Sequence, residues 1–153
     1  MSARVGVGYD AHPFAAGRRL VLGGVEIPHD LGLEGHSDAD VLTHAVIDAI
    51  LGAAGLGDLG TLFPAHEARW RGAHSLDLLT VAMGNLQGRV VNVDATLICE
   101  EPRIGPYRAE MERLLGEAMS ARVSVKATTN EGLGWIGRGE GIACVAVAMV
   151  ELE

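Results

Sequence analysis

Three side chains with the chemistry of metal ligands stand out in this sequence. Asp10 and His12 are two residues apart in the run Gly6 to His12, whose alternation is typical of a β-strand. Because side chains two apart on a strand point to the same face, this carboxylate and this imidazole can bind one metal ion, with His44 as a third ligand. Two imidazoles and one carboxylate suit a catalytic zinc site with an open position, and also the Fe(II) site of non-haem oxygenases. The sequence therefore predicts a metal-dependent enzyme.

The structural alternative for His44 is a core histidine that is hydrogen-bonded to Asp40 or Asp48. These three polar residues recur every four positions in a segment that follows Ser37, runs to about Ala54 and is otherwise nearly all apolar. That spacing places them on one stripe of a helix.

Asp58 lies in a glycine-flanked run from Gly57 to Pro64, directly after this segment. In such a loop its carboxylate can accept hydrogen bonds from a polyol. The alternative is an Asx-turn after the end of a helix, which is a common structural use of Asp.

A third polar block extends from Lys126 to Trp135. Its hydroxyls and amides, at Thr128, Thr129 and Asn130, stand where a predicted strand meets a glycine-rich turn, so they can form a nest for an anion. Glu131 adds a hard oxygen ligand that suits Mg²⁺ bridging phosphates. The alternative is an ordinary polar loop between two strands.

Composition limits the classes of function. The chain has 153 residues, which is the size of one domain, and a formal net charge of −8. It has no basic stripe, so nucleic-acid binding is not expected. The two cysteines, Cys99 and Cys144, predict buried free thiols in a reducing compartment. No signal peptide or membrane-spanning run is expected, and the predicted location is the cytoplasm.

The predicted elements form an α+β sandwich in which helices cover one face of a mixed or antiparallel sheet. We predict a first helix with Ser37 as its N-cap that ends before Gly55, and two later helices. Predicted strands cover 4–12, 20–22, 25–27, 90–99, 123–127 and 142–152, and helices cover 75–86 and 106–119.

The last predicted strand bears on assembly. It is apolar at every position from Ile142 to Val150. A strand with two apolar faces needs cover on both sides, and helices can supply only one. Packing between subunits of a homo-oligomer is one way to cover the other face.

These motifs together resemble the 2-C-methyl-D-erythritol 2,4-cyclodiphosphate synthases of the non-mevalonate isoprenoid pathway. Three blocks carry the resemblance: the Asp10 and His12 strand, the run from His36-Ser37-Asp38 through His44 to Phe63-Pro64, and Lys126 through Cys144. The similarity extends over essentially the whole chain. Arg103, where lysine is frequent, together with Asn130 and Trp135, departs from the family pattern.

The resemblance implies a single catalytic domain, residues 1–153, that assembles as a homotrimer with active sites between subunits. It implies zinc on Asp10, His12 and His44, and Mg²⁺ or Mn²⁺ near Glu131. The implied substrate is a cytidine diphosphate ester, 4-diphosphocytidyl-2-C-methyl-D-erythritol 2-phosphate, which is cyclised with release of CMP. No nucleic acid or membrane partner is implied.

The resemblance also assigns roles to residues. His36 and Thr129 would stabilise the transition state. The segment from Cys99 to Gly105 would hold the cytidine. The full set of implied substrate-binding residues is His36, Ser37, Asp58, Leu59, Gly60, Phe63, Cys99, Arg103, Ile104, Gly105, Ala127, Thr128, Thr129, Glu131, Trp135 and Arg138.

Two rival functions use part of these motifs. An Fe(II) oxygenase would use the metal triad but leave the block from Thr128 to Glu131 without a role. A trimeric protein that binds isoprenoid diphosphates without turnover would need no release of CMP.

Overall fold

The computed structural model describes residues 1–153 and is built around one mixed sheet. The strands are β1 (Ser2–Ala15), β2 (Leu20–Leu22), β3 (Val25–Ile27), β4 (Gly32–Leu33), β5 (Gly88–Ile98), β6 (Arg122–Thr128) and β7 (Gly141–Leu152). Five strands form the sheet in the order β4-β1-β7-β5-β6, and β2 and β3 form a separate hairpin. Only β5 and β6 are parallel. The predicted α+β class with a mixed sheet is confirmed.

Five helices complete the fold: α1 (Val41–Ala54), α2 (Leu59–Leu62), α3 (Ser75–Gly84), α4 (Arg108–Met119) and α5 (Gly134–Gly137). Single 3-10 turns lie at Ala68–Trp70 and Gly105–Tyr107. The short elements β4, α2 and α5 were not predicted, because two to four residues carry no usable periodicity. None of the helices is both long and apolar enough to cross a membrane.

The first helix begins later than predicted. Asp40, rather than Ser37, is the N-cap of α1, and its carboxylate accepts a hydrogen bond from the backbone N–H of Thr43. The predicted end is confirmed, since Gly55 caps the helix with a left-handed φ of 71°. The Ser37 prediction is wrong because Asp38 and Ala39 add a further turn of loop, in which the backbone N–H of Asp40 donates to Asp38.

Close contact between β1 and α1 depends on two glycines. A Cβ atom at Gly8 would lie 1.9 Å from the carbonyl oxygen of Ala45, and one at Gly6 would lie 2.1 Å from that of Ala49. The helix therefore rests directly on the strand backbone. Because Asp10 and His12 continue the same face of β1, this packing brings them next to α1.

On β1 and β7, the opposite face of the sheet is apolar and open. Val5 and Val7 on β1 are 67% and 66% exposed, and Val147 and Met149 on β7 are 42% and 37% exposed. Val5 pairs with Met149 and Val7 with Val147 across the two strands, so the four side chains form one patch. Within one chain, the helices leave this face uncovered, as predicted for β7.

Candidate active site

The three predicted metal ligands converge in the structure. The ligand atoms of Asp10, His12 and His44 all lie within 4.8 Å of one another. Asp10 Oδ2 lies 2.8 Å from His12 Nε2 and 3.1 Å from His44 Nδ1. The His12 nitrogen is buried and has no hydrogen bond of acceptable geometry despite this short distance. A buried imidazole nitrogen that lies close to a carboxylate and to a second imidazole fits a cation site, and this set of ligands fits zinc.

His44 is positioned by contacts on both ring nitrogens. Its Nδ1 faces Asp10, and its Nε2 lies 3.0 Å from the hydroxyl oxygen of Ser37. A second contact of this kind fixes the orientation of a ligand imidazole. The alternative of a histidine bonded to Asp40 or Asp48 is not what the structure contains.

Electrostatic attraction between the Asp10 carboxylate and the two histidines stabilises the cluster. Burial alone would raise the pKa of Asp10, but the close contacts and positive charge of His12 and His44 lower it overall. Burial alone would lower the pKa of His44, yet the Asp10 hydrogen bond and nearby carboxylate charges raise it. Both pKa shifts arise because the Asp10 carboxylate attracts positive charge.

Asp40 has a structural role beside the cluster. Its fully buried carboxylate accepts hydrogen bonds from the backbone N–H groups of Gly23 and Gly24 and from the hydroxyls of Thr43 and Ser75. It thereby ties the β2–β3 turn, the start of α1 and the start of α3 to one point. A buried carboxylate with this many donors is fully satisfied.

The cluster opens into a cavity of about 210 Å³. His36 and Ser37 line it, as do Leu59, Gly60 and Phe63 from the segment after α1. Five of the residues predicted to bind substrate are therefore brought to the metal ligands.

Asp58 does not line this cavity, although its neighbours do. Its carboxylate caps α2 by accepting hydrogen bonds from the backbone N–H and hydroxyl of Thr61, and these contacts lower its pKa. The Asx-type alternative thus describes its contacts within this chain.

The predicted cytidine residues form a second pocket of about 500 Å³. It lies where β5 and β6 end, and it is lined by Cys99, Glu100, Pro102, Arg103, Ile104, Gly105, Pro106, Ala127, Thr128 and Thr129. Burial, together with the charge of Glu100, raises the pKa of Cys99 to about 11, so this thiol stays protonated at neutral pH. Both cysteines are free and buried, as predicted.

Besides Asp58, three further predicted residues fall outside both cavities. Glu131 is exposed at a φ of 53°, on a turn whose neighbouring N–H groups, of Asn130 and Gly132, donate to Glu100. Trp135 lines a shallow depression beside His12. Arg138 forms an ion pair with Glu140.

Comparison with known proteins agrees with this arrangement. A family model described as the YgbB family matches residues 3–151. A 2-C-methyl-D-erythritol 2,4-cyclodiphosphate synthase from Symbiobacterium thermophilum is 56% identical, over 95% of this chain and 97% of that protein. The chain belongs to the YgbB family.

Solved structures of YgbB relatives have the same fold. The bifunctional IspDF from Campylobacter jejuni matches 99% of this chain with a TM-score of 0.93 and 37% identity, and the match covers 43% of that longer chain. The Plasmodium falciparum IspF in its CDP complex matches 99% of this chain and 97% of its own, with a TM-score of 0.86 and 32% identity.

Four charged or aromatic residues around the metal cavity of this YgbB chain were not predicted from the sequence. Asp48, Trp70 and Arg71 line it directly. Asp48 also accepts a hydrogen bond from the backbone N–H of Leu59 at 2.7 Å, and burial raises its pKa. Spacing did place Asp48 on the helix face of His44, but nothing in the sequence indicated its contact with Leu59.

Arg18 is the fourth missed residue, and it holds the loop that carries His36. Its guanidinium donates to the carbonyl oxygens of Gly35 and Ser37, at 2.9 and 2.8 Å. The carbonyl of His36 between them accepts from the backbone N–H of Gly72 at 2.8 Å. All three consecutive carbonyls of this loop are therefore bound, which fixes the direction of the intervening side chains.

Proposed function

We propose that this chain converts 4-diphosphocytidyl-2-C-methyl-D-erythritol 2-phosphate to 2-C-methyl-D-erythritol 2,4-cyclodiphosphate with release of CMP. The observation that carries this proposal is the pairing of a three-ligand metal cluster with a separate pocket at the ends of β5 and β6. The names of close relatives, and the CDP complex of a structural neighbour, support the same reaction. The enzyme is then a phosphorus–oxygen lyase.

The reaction joins two ends of one molecule. An oxygen of the 2-phosphate forms a bond to the β-phosphorus of the diphosphate, and the bond from that phosphorus to the CMP oxygen breaks. The attacking phosphate is already anionic at neutral pH, so no protein nucleophile is needed. Zinc at Asp10, His12 and His44, with Mg²⁺ or Mn²⁺ near Glu131, would supply positive charge against phosphate oxygens.

The protein residues then bind and orient the substrate and neutralise its charge. His36 and Ser37 hold the methylerythritol phosphate portion, and the segment from Cys99 to Gly105 holds the cytidine. His36 and Thr129 donate to phosphate oxygens as charge develops. Two unit charges about 4 Å apart repel by roughly 4 kcal/mol at an effective dielectric of 20, so this neutralisation is a large effect. Holding the substrate folded adds up to about 7–11 kcal/mol through proximity.

The working assembly that we propose is a homotrimer. Two features support it: the open apolar patch of Val5, Val7, Val147 and Met149, and the separation of the two cavities, which share no lining residue. A neighbouring subunit would cover the patch and bring its pocket for cytidine to the metal cavity. Glu131 and Trp135, exposed in one chain, would then also face the substrate. We place this reaction in the cytoplasm, as part of isoprenoid precursor synthesis.

The two rival functions are less well supported. An Fe(II) oxygenase would leave the pocket of Arg103 and Thr128 without a ligand. A trimer that binds isoprenoid diphosphates without turnover would leave the metal cluster without a reaction. Family membership and the names of the relatives favour the synthase over both.

The experiment is ³¹P NMR of the protein with the cytidyl substrate, zinc and Mg²⁺. We expect signals of CMP and of a coupled cyclic diphosphate, and their loss when a chelator is added. A zinc-loaded oligomer that leaves the substrate intact would overturn the proposal and favour a binding protein.

A further inference from the structure

The chain's fixed positive charges are divided between structural pairs and free side chains. Of the 12 lysines and arginines, eight have a side-chain hydrogen bond or an ion pair within the chain. The other four are Arg71, Arg103, Arg108 and Arg122. Arg103 lines the pocket assigned to cytidine, and Arg71 lines the metal cavity. Each cavity therefore contains one arginine whose donors are free.

Arg71 is held at the cavity by the residues on either side of it. Trp70 packs edge-on against the buried ring of Phe63, with 4.7 Å between the ring centroids. Gly72 donates its backbone N–H to the carbonyl of His36 at 2.8 Å. The backbone of Arg71 is thus anchored next to His36, while its side chain is exposed and makes no hydrogen bond.

The charge of this cavity makes a free guanidinium significant. Two carboxylates line it, Asp10 and Asp48, and Arg71 is the only arginine or lysine among its 13 lining residues. In a chain of net charge −8, a phosphate entering here meets few other fixed cations. A guanidinium presents several N–H donors in a planar fork that matches two phosphate oxygens.

We propose that Arg71 binds the phosphate monoester of the methylerythritol half of the substrate, beside His36. This inference rests on the proposed function, and it adds a substrate contact that the sequence did not indicate. Arg71 and Arg103 then bind different parts of the substrate: Arg71 binds the phosphate at the metal cavity, and Arg103 binds the nucleotide.

The test is isothermal titration of the zinc-loaded protein with two probes, 2-C-methyl-D-erythritol 2-phosphate and CDP. A charge-assisted hydrogen bond contributes about 1.5–3 kcal/mol. In R71Q we therefore expect roughly 10- to 100-fold weaker binding of the methylerythritol phosphate, with unchanged binding of CDP. R71K keeps the charge but not the fork, and we expect it to recover part of the loss.

The matched control is R122Q, which removes another unpaired arginine, at the start of β6 and outside both cavities. It should bind both probes as wild type does. Equal affinity of R71Q and wild type for the methylerythritol phosphate would overturn the inference, as would an equal loss in R122Q. Turnover of the cytidyl substrate separates this inference from the proposed function. No turnover by the wild-type protein would count against the proposed function. Normal turnover with an unaltered KM in R71Q would count only against the role of Arg71.

Discussion

The metal cavity and the pocket at the ends of β5 and β6 are built in different ways. The metal ligands come from β1 and α1, which are packed against each other through glycine, and His44 is 7% exposed. Around the second pocket, Ala127, Thr128 and Thr129 are all exposed, on a strand end followed by a turn. One chain completes the metal cluster before any ligand binds. The second region presents its groups outward, where a ligand or a neighbouring subunit can reach them.

This difference predicts how each region tolerates substitution. A change at the metal cluster removes a contact that is already formed, so its effect should be large and independent of substrate concentration. A change in the exposed turn should appear mainly as weaker binding of the diphosphate and its metal ion. Variants of each region separate these two behaviours.

The largest effect is expected from His44→Ala. Loss of the partners that orient a ligand costs 10- to 100-fold, so loss of the ligand itself should reduce turnover by more than about 100-fold. Zinc content by atomic emission should fall with it, while the far-UV circular dichroism spectrum stays that of the wild type. Full activity in this variant would remove the metal cluster from the reaction.

A smaller effect is expected from Arg18→Gln, which releases the carbonyls of Gly35 and Ser37. A misplacement of about 1 Å in a site can cost 100-fold, so we expect kcat to fall roughly 10- to 100-fold. Zinc content should not change, since the ligands remain, and Arg18→Lys should restore part of kcat. The control is Arg19→Gln, which loses only an exposed contact of 3.7 Å with Glu26. Equal kcat values in the two glutamine variants would show that Arg18 does not position the loop.

In the exposed turn, Glu131→Gln should act on the second metal ion alone. The Glu100 contacts that hold this turn remain, because they involve the backbone of Asn130 and Gly132. Loss of one charged ligand should raise the Mg²⁺ concentration for half-maximal activity about tenfold, which corresponds to about 1.4 kcal/mol. Zinc content should match wild type. A Mg²⁺ titration identical to that of Glu117→Gln, a control on α4, would show that Glu131 has been misassigned.

The sequence was most informative where the determinants are local. The alternation of β1 and the apolar run that ends at Gly55 predicted the two elements that bring Asp10, His12 and His44 together. Each of those signals lies within a few residues of the position it predicts. The exposed patch on β7 was predicted for the same reason, because every residue from Ile142 to Val150 is apolar.

Long-range contacts could not be predicted in this way. Arg18 reaches carbonyls 17 and 19 residues away. Asp40 replaced Ser37 as the helix cap because its carboxylate also meets Gly23, Gly24 and Ser75. Nothing in the spacing of these residues indicates the contact. The residues that the family resemblance implied include those of the two pockets, but not Arg18 or Asp48.

Asp48 offers the finest test of the metal cavity, through the pH dependence of stability. Burial, with charge from Asp58 and Asp10, raises its pKa above 3.8 in the folded chain. As pH rises through the interval from 3.8 to that raised pKa, the unfolded chain releases the proton first, so Asp48 lowers the free energy of unfolding. Asp48→Asn keeps an acceptor for the Leu59 N–H and removes this cost. We therefore expect it to raise the melting temperature at pH 7 but not below pH about 3.8.

Comparison of zinc-bound with chelator-treated protein provides a second test of this prediction. A cation at the Asp10 cluster stabilises a nearby carboxylate, so the gain in Asp48→Asn should be largest in chelator-treated protein and smaller with zinc bound. Asp48→Ala, which also leaves the Leu59 N–H without its acceptor, should instead lose about 1 kcal/mol. Calorimetry of the three proteins, with and without zinc, separates charge from hydrogen bonding. If the gain in Asp48→Asn is the same at both pH values, the carboxylate is not under electrostatic strain, and its contact with Leu59 is its whole contribution to the cavity.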